Sequence, residues 1–455
     1  MTTYTEPKKQ LPVEHYDVVI AGGGTAGVVA ALAAARQGAH TALIELKGYT
    51  GGIAVEGGTA LHSFYNLWKA FPGVEKRQVV KGIPQQIIDR LEDAGGTSGH
   101  AEMIAGYDYD SVCTAIDTEV YKNVTLNMLE EAGVHLALNT MLVDAIVEKD
   151  HVRGAVAESH QGRVAMMAQA FVDTTGYGDL CARAGASYSE PNDYPVVNSI
   201  GLANVDLEAY YDFLTHHDAL TQYARGWRDG QDDQIVRLDG RRAALPKGFA
   251  EGAAEIGMSM VTTTVHDDYF MFIKINYKMD VSPTDRAAAS RAEVELRRRQ
   301  AGAVELFRQY VPGCEKAFIA RTSPSLTIRR GRLIVCDYDV TSEDVLEGRH
   351  FEDDIMAYGF HDFAPRLQIK DGGTYGIPYR ALRVRGLDNL LAAGMMITSD
   401  HDAHMSTRNT VACMGQGQAA GTAAALCADQ GCGTRDLNYT DLRARLLEDD
   451  VVLEN

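Results

Sequence analysis

The chain has 455 residues and a formal net charge of −19, with 43 Lys and Arg against 62 Asp and Glu. That balance excludes nucleic acid as an expected partner, because phosphate binding needs a basic footprint. Apolar residues at 45% and charged residues at 23% exclude a disordered, collagen-like or channel-like chain.

Seven cysteines without a CxxC pair give no disulfide framework, iron–sulfur signature or dithiol motif. No apolar run approaches the ~18 residues of a membrane span, and Met1 to Tyr16 is polar, so the expectation is a cytoplasmic protein with no membrane partner. The length favours two intertwined domains over one.

In chain order, Tyr16 to Ala21 is a short run of buried-strand character, and Gly22-Gly23-Gly24-Thr25-Ala26-Gly27 follows it. An Ala-rich helix to Gln37 and a second buried strand, Thr41 to Leu46, complete a strand, turn, helix, strand unit. The Gly22-x-Gly24-x-x-Gly27 spacing suits a dinucleotide pyrophosphate: one glycine turns the chain, one lets backbone approach phosphate, and one lets helix and strand pack. Glu45, at the end of the next strand beside Leu46, is placed to accept hydrogen bonds from ribose hydroxyls.

Lys47 to Thr114 is irregular, with a helix expected at Pro84 to Leu91. Thr118 to Ala132 is amphipathic, Val134 to Gln169 reads as a β-meander, and Ala170 to Asp173 is another buried strand before the turn Thr175 to Gly178. Residues 187 to 375 lack this punctuation; a helix from near Pro283 to Tyr310 and strand-like runs at Phe270 to Ile273 and Ser325 to Ile328 suggest a separate unit. Leu390 to Gly394 is again strand and turn, and Thr410 to Cys427 is a long Gly/Ala-rich helix.

These features resemble the FAD-dependent oxidoreductases, Rossmann flavoproteins of the glutathione-reductase type, and most of all the bacterial family that carries that general name. Besides the Gly22 to Gly27 region, the resemblance rests on Gly51-Gly52, Ile116 to Glu119, Val172 to Ala186, Thr341 to Arg349, and the block from Gly376 to Gly421. It implies an α/β fold: a three-layer Rossmann-type FAD-binding domain, discontinuous over 1–186 and 375–455, with an inserted α+β substrate domain at 187–374. It implies FAD as cofactor, with Gly22, Gly24, Thr25, Ala26, Gly27, Glu45, Leu46, Gly51 and Gly52 around the ADP half.

The resemblance further assigns Leu142 to the adenine, Thr175, Gly176 and Asp179 to the ADP turn, and Gly394 to the pyrophosphate and ribityl chain. It gives Gly415, Gln416 and Gly417 to a helix start facing the flavin N1/O2 edge, where a dipole stabilises the anionic reduced ring. Two positions depart from it. Met395 stands where many members of the superfamily carry an Asp, and Arg330-Gly331 where the narrower family often has Glu-Ser.

Between the Gly394 turn and the last helix lies Ser399 to Arg408. His401 and His404 are candidate proton shuttles for hydride chemistry, and Arg408 is a candidate for an oxyanion or anionic group. A metal site at His-x-x-His and a purely structural role for both histidines stay open. His62 is a candidate for covalent flavin attachment or a pocket wall, and Arg329, Arg332 and Tyr379 are candidate substrate contacts, with ion pairing as the alternative for the arginines.

The expected function is hydride transfer between flavin and a small organic substrate, by CH–OH or CH–NH oxidation or by reduction of an activated C=C bond. The alternatives are a flavin-dependent isomerase or hydratase, a non-redox flavin protein, and an NAD-dependent dehydrogenase without flavin. Only one dinucleotide signature is visible, so a separate electron donor or acceptor, like a homo-oligomer, is left open.

Overall fold

The computed structural model describes residues 4–57, 60–62, 64, 76–106, 110–360, 369–370 and 372–453. A five-stranded parallel sheet organises one half of the protein, in the spatial order Leu390–Ala392, Ala170–Asp173, Val18–Ala21, Thr41–Ile44, His135–Ala137. Four of these strands are buried along their whole length, which is why they are written in apolar residues without alternation. His135–Ala137 is the exception: it stands at the sheet's edge and is partly exposed.

The helix Thr25–Arg36 starts directly after Gly24 and packs on the helix Thr410–Gln430. Their approach is set by glycines: a Cβ on Gly417 would stand 2.2 Å from the Ala26 carbonyl oxygen, and one on Gly421 would stand 2.0 Å from that of Ala30. The sheet thus has a covering layer in which two backbones nearly touch. The expected meander divides. Its first run joins the parallel sheet, while Met141–Glu148, His151–Ser159 and Gly162–Met167 form an antiparallel sheet extended by Val13–His15, a strand the polar N-terminus did not announce.

The second unit is built on a six-stranded sheet ordered Thr262–Thr263, Gln231–Gly240, Leu220–Arg228, Ala101–Ala105, Val112–Ala115, Ala60–His62, and a three-stranded sheet of Tyr269–Tyr277, Val196–Ala203 and Phe318–Thr322. Helices Leu207–His216, Lys247–Glu255 and Arg286–Tyr310 pack around an aromatic core of Tyr210, Phe249, Phe270 and Phe307. Ser325 to Ile328, expected as a strand, is a loop with a single bridge from Thr327 to Val197.

The segments sort differently from the boundaries expected at 187 and 374. Strands 60–62, 101–105 and 112–115 pair into the six-stranded sheet of the second unit, the cap, while Val340, Val345, Ile355, Met356, Tyr375 and Ile377 pack into the core around helices Thr25–Arg36 and Thr410–Gln430. The two units are sewn together by polar contacts: Ser199 Oγ donates to the Gly57 carbonyl (3.0 Å), Ser323 Oγ to that of Glu56, and Arg321 to the Val55 carbonyl and to Thr118 Oγ1.

His100 shows what such burial costs. Its ring, held by Thr114 Oγ1 (2.8 Å) and Gln85 Oε1 (2.9 Å), has its pKa pushed down to about 4 by desolvation. The unfolded chain protonates this imidazole near 6.5 and the folded protein only near 4, so stability present above pH 6.5 drains away as pH falls toward 4. A shift of this size corresponds to about 3 kcal/mol. Urea titrations between pH 7 and 4.5 are expected to show that slope, and His100→Gln to flatten it.

Candidate active site

The glycine turn after Val18–Ala21 is forced by its surroundings. Gly22 has φ +98°, and a Cβ there would lie 2.7 Å from the Thr174 carbonyl oxygen; a Cβ on Gly27 would lie 1.8 Å from the Gly22 carbonyl oxygen. Gly24 differs, because the nearest atom to a Cβ on it is 3.9 Å away. Its backbone lines an open cleft, and no side chain caps the helix that starts at Thr25. Uncapped first-turn amides of this kind are receptors for an anion such as a pyrophosphate.

Glu45 Oε2 accepts from the Gly23 amide (2.7 Å) and Oε1 from the Lys47 amide (2.8 Å), which fixes the carboxylate in the cleft wall. Burial pushes its pKa up, and these two bonds oppose the rise. Beside it run Leu46, Thr140, Met141 and Leu142. Gly52 packs on Gly24, where a Cβ would come 2.8 Å from its Cα, and Gly51, outside the cleft lining, donates its amide to the Gly23 carbonyl (2.9 Å).

Beside the glycine turn, Thr175 and Gly176 line the cleft and are held by buried Asp173, whose Oδ1 accepts from the Thr175 amide (3.0 Å) and hydroxyl (2.8 Å) and whose Oδ2 accepts from the Cys181 amide (2.8 Å). Gly394, with φ +104°, also lines it. The cavity measures about 750 Å³ and continues to Arg408, Asn409, Thr410 and Cys413, and to Val197, Arg237, Phe272 and Lys274 of the cap. One space therefore joins the glycine turn, the start of the last long helix and the cap sheet.

Of the residues singled out in the sequence, Gly22, Gly24, Thr25, Ala26, Glu45, Leu46, Gly52, Leu142, Thr175, Gly176, Asp179, Gly394, Arg329, Arg332 and Arg408 line this cleft, and Gly27 and Gly51 support it from behind. Gly415, Gln416 and Gly417 do not line it. The helix begins five residues earlier, at Thr410, so the two glycines serve packing and Gln416 bridges the Gly394 amide (2.8 Å) to the Thr407 carbonyl (2.8 Å).

His401 and His404 are not brought to the cleft either. They sit on the short helix His401–Thr407. His401 is half-buried with Nδ1 3.1 Å from Asp402, while His404 is fully buried with Nε2 donating to the Arg329 carbonyl (3.0 Å). Burial, reinforced by Arg330 and Arg408, holds the His404 pKa well below its ordinary value, so the ring stays neutral. Among the described residues no three metal-ligating side chains gather at this or any other point. Tyr379 is buried elsewhere, donating to the Thr434 carbonyl (2.9 Å), and Arg332 is occupied by Asp179 (2.8 Å), Glu190 (3.2 Å) and the Tyr177 carbonyl.

The cleft also holds residues that sequence reasoning passed over. Lys47 and Tyr49 both engage Glu56, the latter at 3.2 Å, while His62, expected as a pocket wall, does line the cleft, with Nδ1 2.8 Å from Asp110 Oδ2. Arg237, Lys274, Asn409 and Thr410 join them. The one available signal was Asn409 itself, a helix-capping residue directly before the apolar run; its side chain accepts from the Val411 amide.

A family profile described as "FAD dependent oxidoreductase" matches residues 17–446. The chain belongs to that family. FAD is its cofactor, and it is an oxidoreductase enzyme with a Rossmann-type fold. The chain is also 35% identical over 94 residues to a 3-oxosteroid 1-dehydrogenase of Mycolicibacterium smegmatis, a match covering 21% of this chain and 16% of that protein. Among solved structures it resembles a geranylgeranyl bacteriochlorophyll reductase-like protein from Thermoplasma acidophilum, with a TM-score of 0.50 and 14% identity over 96% of this chain and 84% of the other. A p-nitrophenol 4-monooxygenase from Pseudomonas putida gives 0.44 and 12%, over 97% and 89%. Among the described residues of this flavoenzyme, no helix is long and apolar enough to cross a membrane.

Proposed function

We propose that this flavoenzyme transfers a hydride between FAD and a small organic substrate held beneath the cap sheet. The observation that supports this most is the continuity of the cleft, whose walls come from the glycine turn, from the start of the Thr410–Gln430 helix and from cap residues Val197, Arg237, Phe272 and Lys274. A nucleotide at the first wall leaves the remainder of the same space for a substrate.

In this reading the uncapped amides after Gly24 bind the pyrophosphate, Glu45 accepts from the adenosine ribose, Leu142 and its neighbours flank the adenine, and the Gly394 turn passes the ribityl chain. When bound, the flavin supplies a two-electron acceptor or donor. The protein does the rest: Asn409 and Thr410 present a helix N-terminus to the ring region, Arg408 offers a cation to a developing oxyanion, and the cap keeps water from the reacting carbon. Arg329, also in the wall, stacks its guanidinium 4.7 Å from the Tyr194 ring centre, which preorganises it.

The purified protein is expected to be yellow. Mixed without oxygen with a panel of alcohols, amines and activated alkenes, the last against pre-reduced enzyme, it should change flavin absorbance at 450 nm with at least one of them. Turnover that never changes the flavin redox state would instead support an isomerase or hydratase. Glu45→Ala should weaken FAD retention about 10- to 100-fold, since it removes a charged acceptor and frees the Gly23 and Lys47 amides; equilibrium dialysis of FAD measures this.

A further inference from the structure

We propose that His62 and Asp110 form the dyad that takes the substrate's hydroxyl proton, and that the substrate is accordingly an alcohol, oxidised at a CH–OH carbon. This rests on the hydride-transfer reading above. Among the described residues His62 is the one histidine that lines the cleft. It ends the strand Ala60–His62 and pairs with Cys113, which brings its ring beside Asp110 just ahead of the strand Val112–Ala115.

The geometry is that of an oriented base. Asp110 is 6% exposed; its Oδ1 accepts from the Ser111 amide (2.9 Å) and its Oδ2 lies 2.8 Å from His62 Nδ1. A carboxylate in that position accepts the Nδ1 proton, which leaves Nε2 with its lone pair, and the ring is steadied by near-parallel packing on Phe360 at 6.2 Å. The His62 side chain lines the cleft and keeps about a fifth of its surface exposed.

Other proton acceptors in the wall are committed or unsuitable. Glu56 holds Lys47 and Tyr49, Asp179 holds Arg332, and burial pushes the Tyr49 and Tyr177 phenols far up. Proton removal from oxygen is the step a base at this place serves: the O–H bond breaks with its proton going to His62 Nε2, its electron pair forms the carbonyl π bond, and the carbon's hydrogen would leave with both C–H electrons, as hydride, for the bound FAD. Arg237, Lys274 and Arg408 in the same walls disfavour an ammonium-bearing substrate and suit a neutral or anionic alcohol.

The test has two arms, each run on the FAD-loaded full chain with His62→Gln and Asp110→Asn. In the first, 15N-labelled histidine NMR is expected to show, among the rings protonated at Nδ1 and bare at Nε2, a signal that is missing in His62→Gln and converted to the Nε2–H form in Asp110→Asn. A His62 protonated at Nε2 in the native protein overturns the dyad. In the second, anaerobic flavin reduction is followed with primary and secondary alcohols and 2-hydroxy acids. With the compound that reduces the native flavin fastest, His62→Gln should slow reduction at least 100-fold and Asp110→Asn about tenfold at unchanged FAD content, and imidazole should restore part of the rate to His62→Ala. Unchanged rates, or reduction by amines in place of alcohols, overturn the proposal. If no alcohol reduces the flavin while an amine does so, or an activated alkene reoxidises pre-reduced enzyme, this proposal fails and the hydride-transfer reading stands; if none of the three classes changes the flavin, both fail, whereas a wrong tautomer beside active flavin reduction strikes the dyad alone.

Discussion

Asp173→Ala is expected to destabilise the protein by about 3 kcal/mol and to release most of its FAD. The side chain is wholly buried and answers three donors, the Thr175 amide and hydroxyl and the Cys181 amide, that define the turn beside the glycine loop. Alanine leaves each of them without an acceptor in a place water does not reach, and an unsatisfied buried donor costs about 1–3 kcal/mol. Relief of the carboxylate's own desolvation, which pushes its pKa up, offsets part of the sum. Asp173→Asn keeps one acceptor and should fall between the two. The measurements are the urea midpoint and the fraction of FAD retained on gel filtration; native values for Asp173→Ala would refute the account.

The second large effect separates two glycines by their surroundings. Gly417→Ala places a methyl 2.2 Å from the Ala26 carbonyl oxygen, which is backbone and cannot swing aside, so the two helices must part. The expected loss is about 2 kcal/mol or more, with FAD loosened if, as proposed, the glycine turn that holds Ala26 binds the nucleotide. Gly302→Ala, in the middle of the cap helix Arg286–Tyr310, meets nothing closer than Ile256 at 3.5 Å. There the gain in helix propensity, about 1 kcal/mol, is unopposed and the variant should be as stable as the parent or more so. Equal urea midpoints for the two variants would show that helix contact is not what fixes Gly417.

This pair bears on how the site is read from sequence. Gly415 to Gly417 was legible as a glycine-bearing segment of the last helix, but not as packing surface: a glycine at a helix start and one at a helix crossing look alike in one dimension. The start lies at Asn409 and Thr410, five residues upstream, and it is that end which reaches the cleft. His401 and His404 failed for a related reason. Position between two flavin-associated segments brought them near the site, yet the turn of a short helix decides which side chain faces inward, and here His404 faces a carbonyl and His401 pairs with Asp402. Arg332 was recognised as a cation on the wall, but its carboxylate partners lie more than 100 residues away in Asp179 and Glu190.

By itself the sequence determined four of the five parallel strands, the glycine turn with Glu45, the family and the cofactor, because each is written in short windows: apolar runs for strands buried on both faces, and glycine where backbone must bend or approach. Tertiary structure alone decided that strands at 60–62, 101–105 and 112–115 join the cap, that residues such as Val340, Ile355 and Ile377 pack into the core around the parallel sheet, and that His62 meets Asp110 across 48 residues of chain. Those choices depend on strand pairing and on which polar groups find partners when the two units close, and no local pattern of residues carries that information.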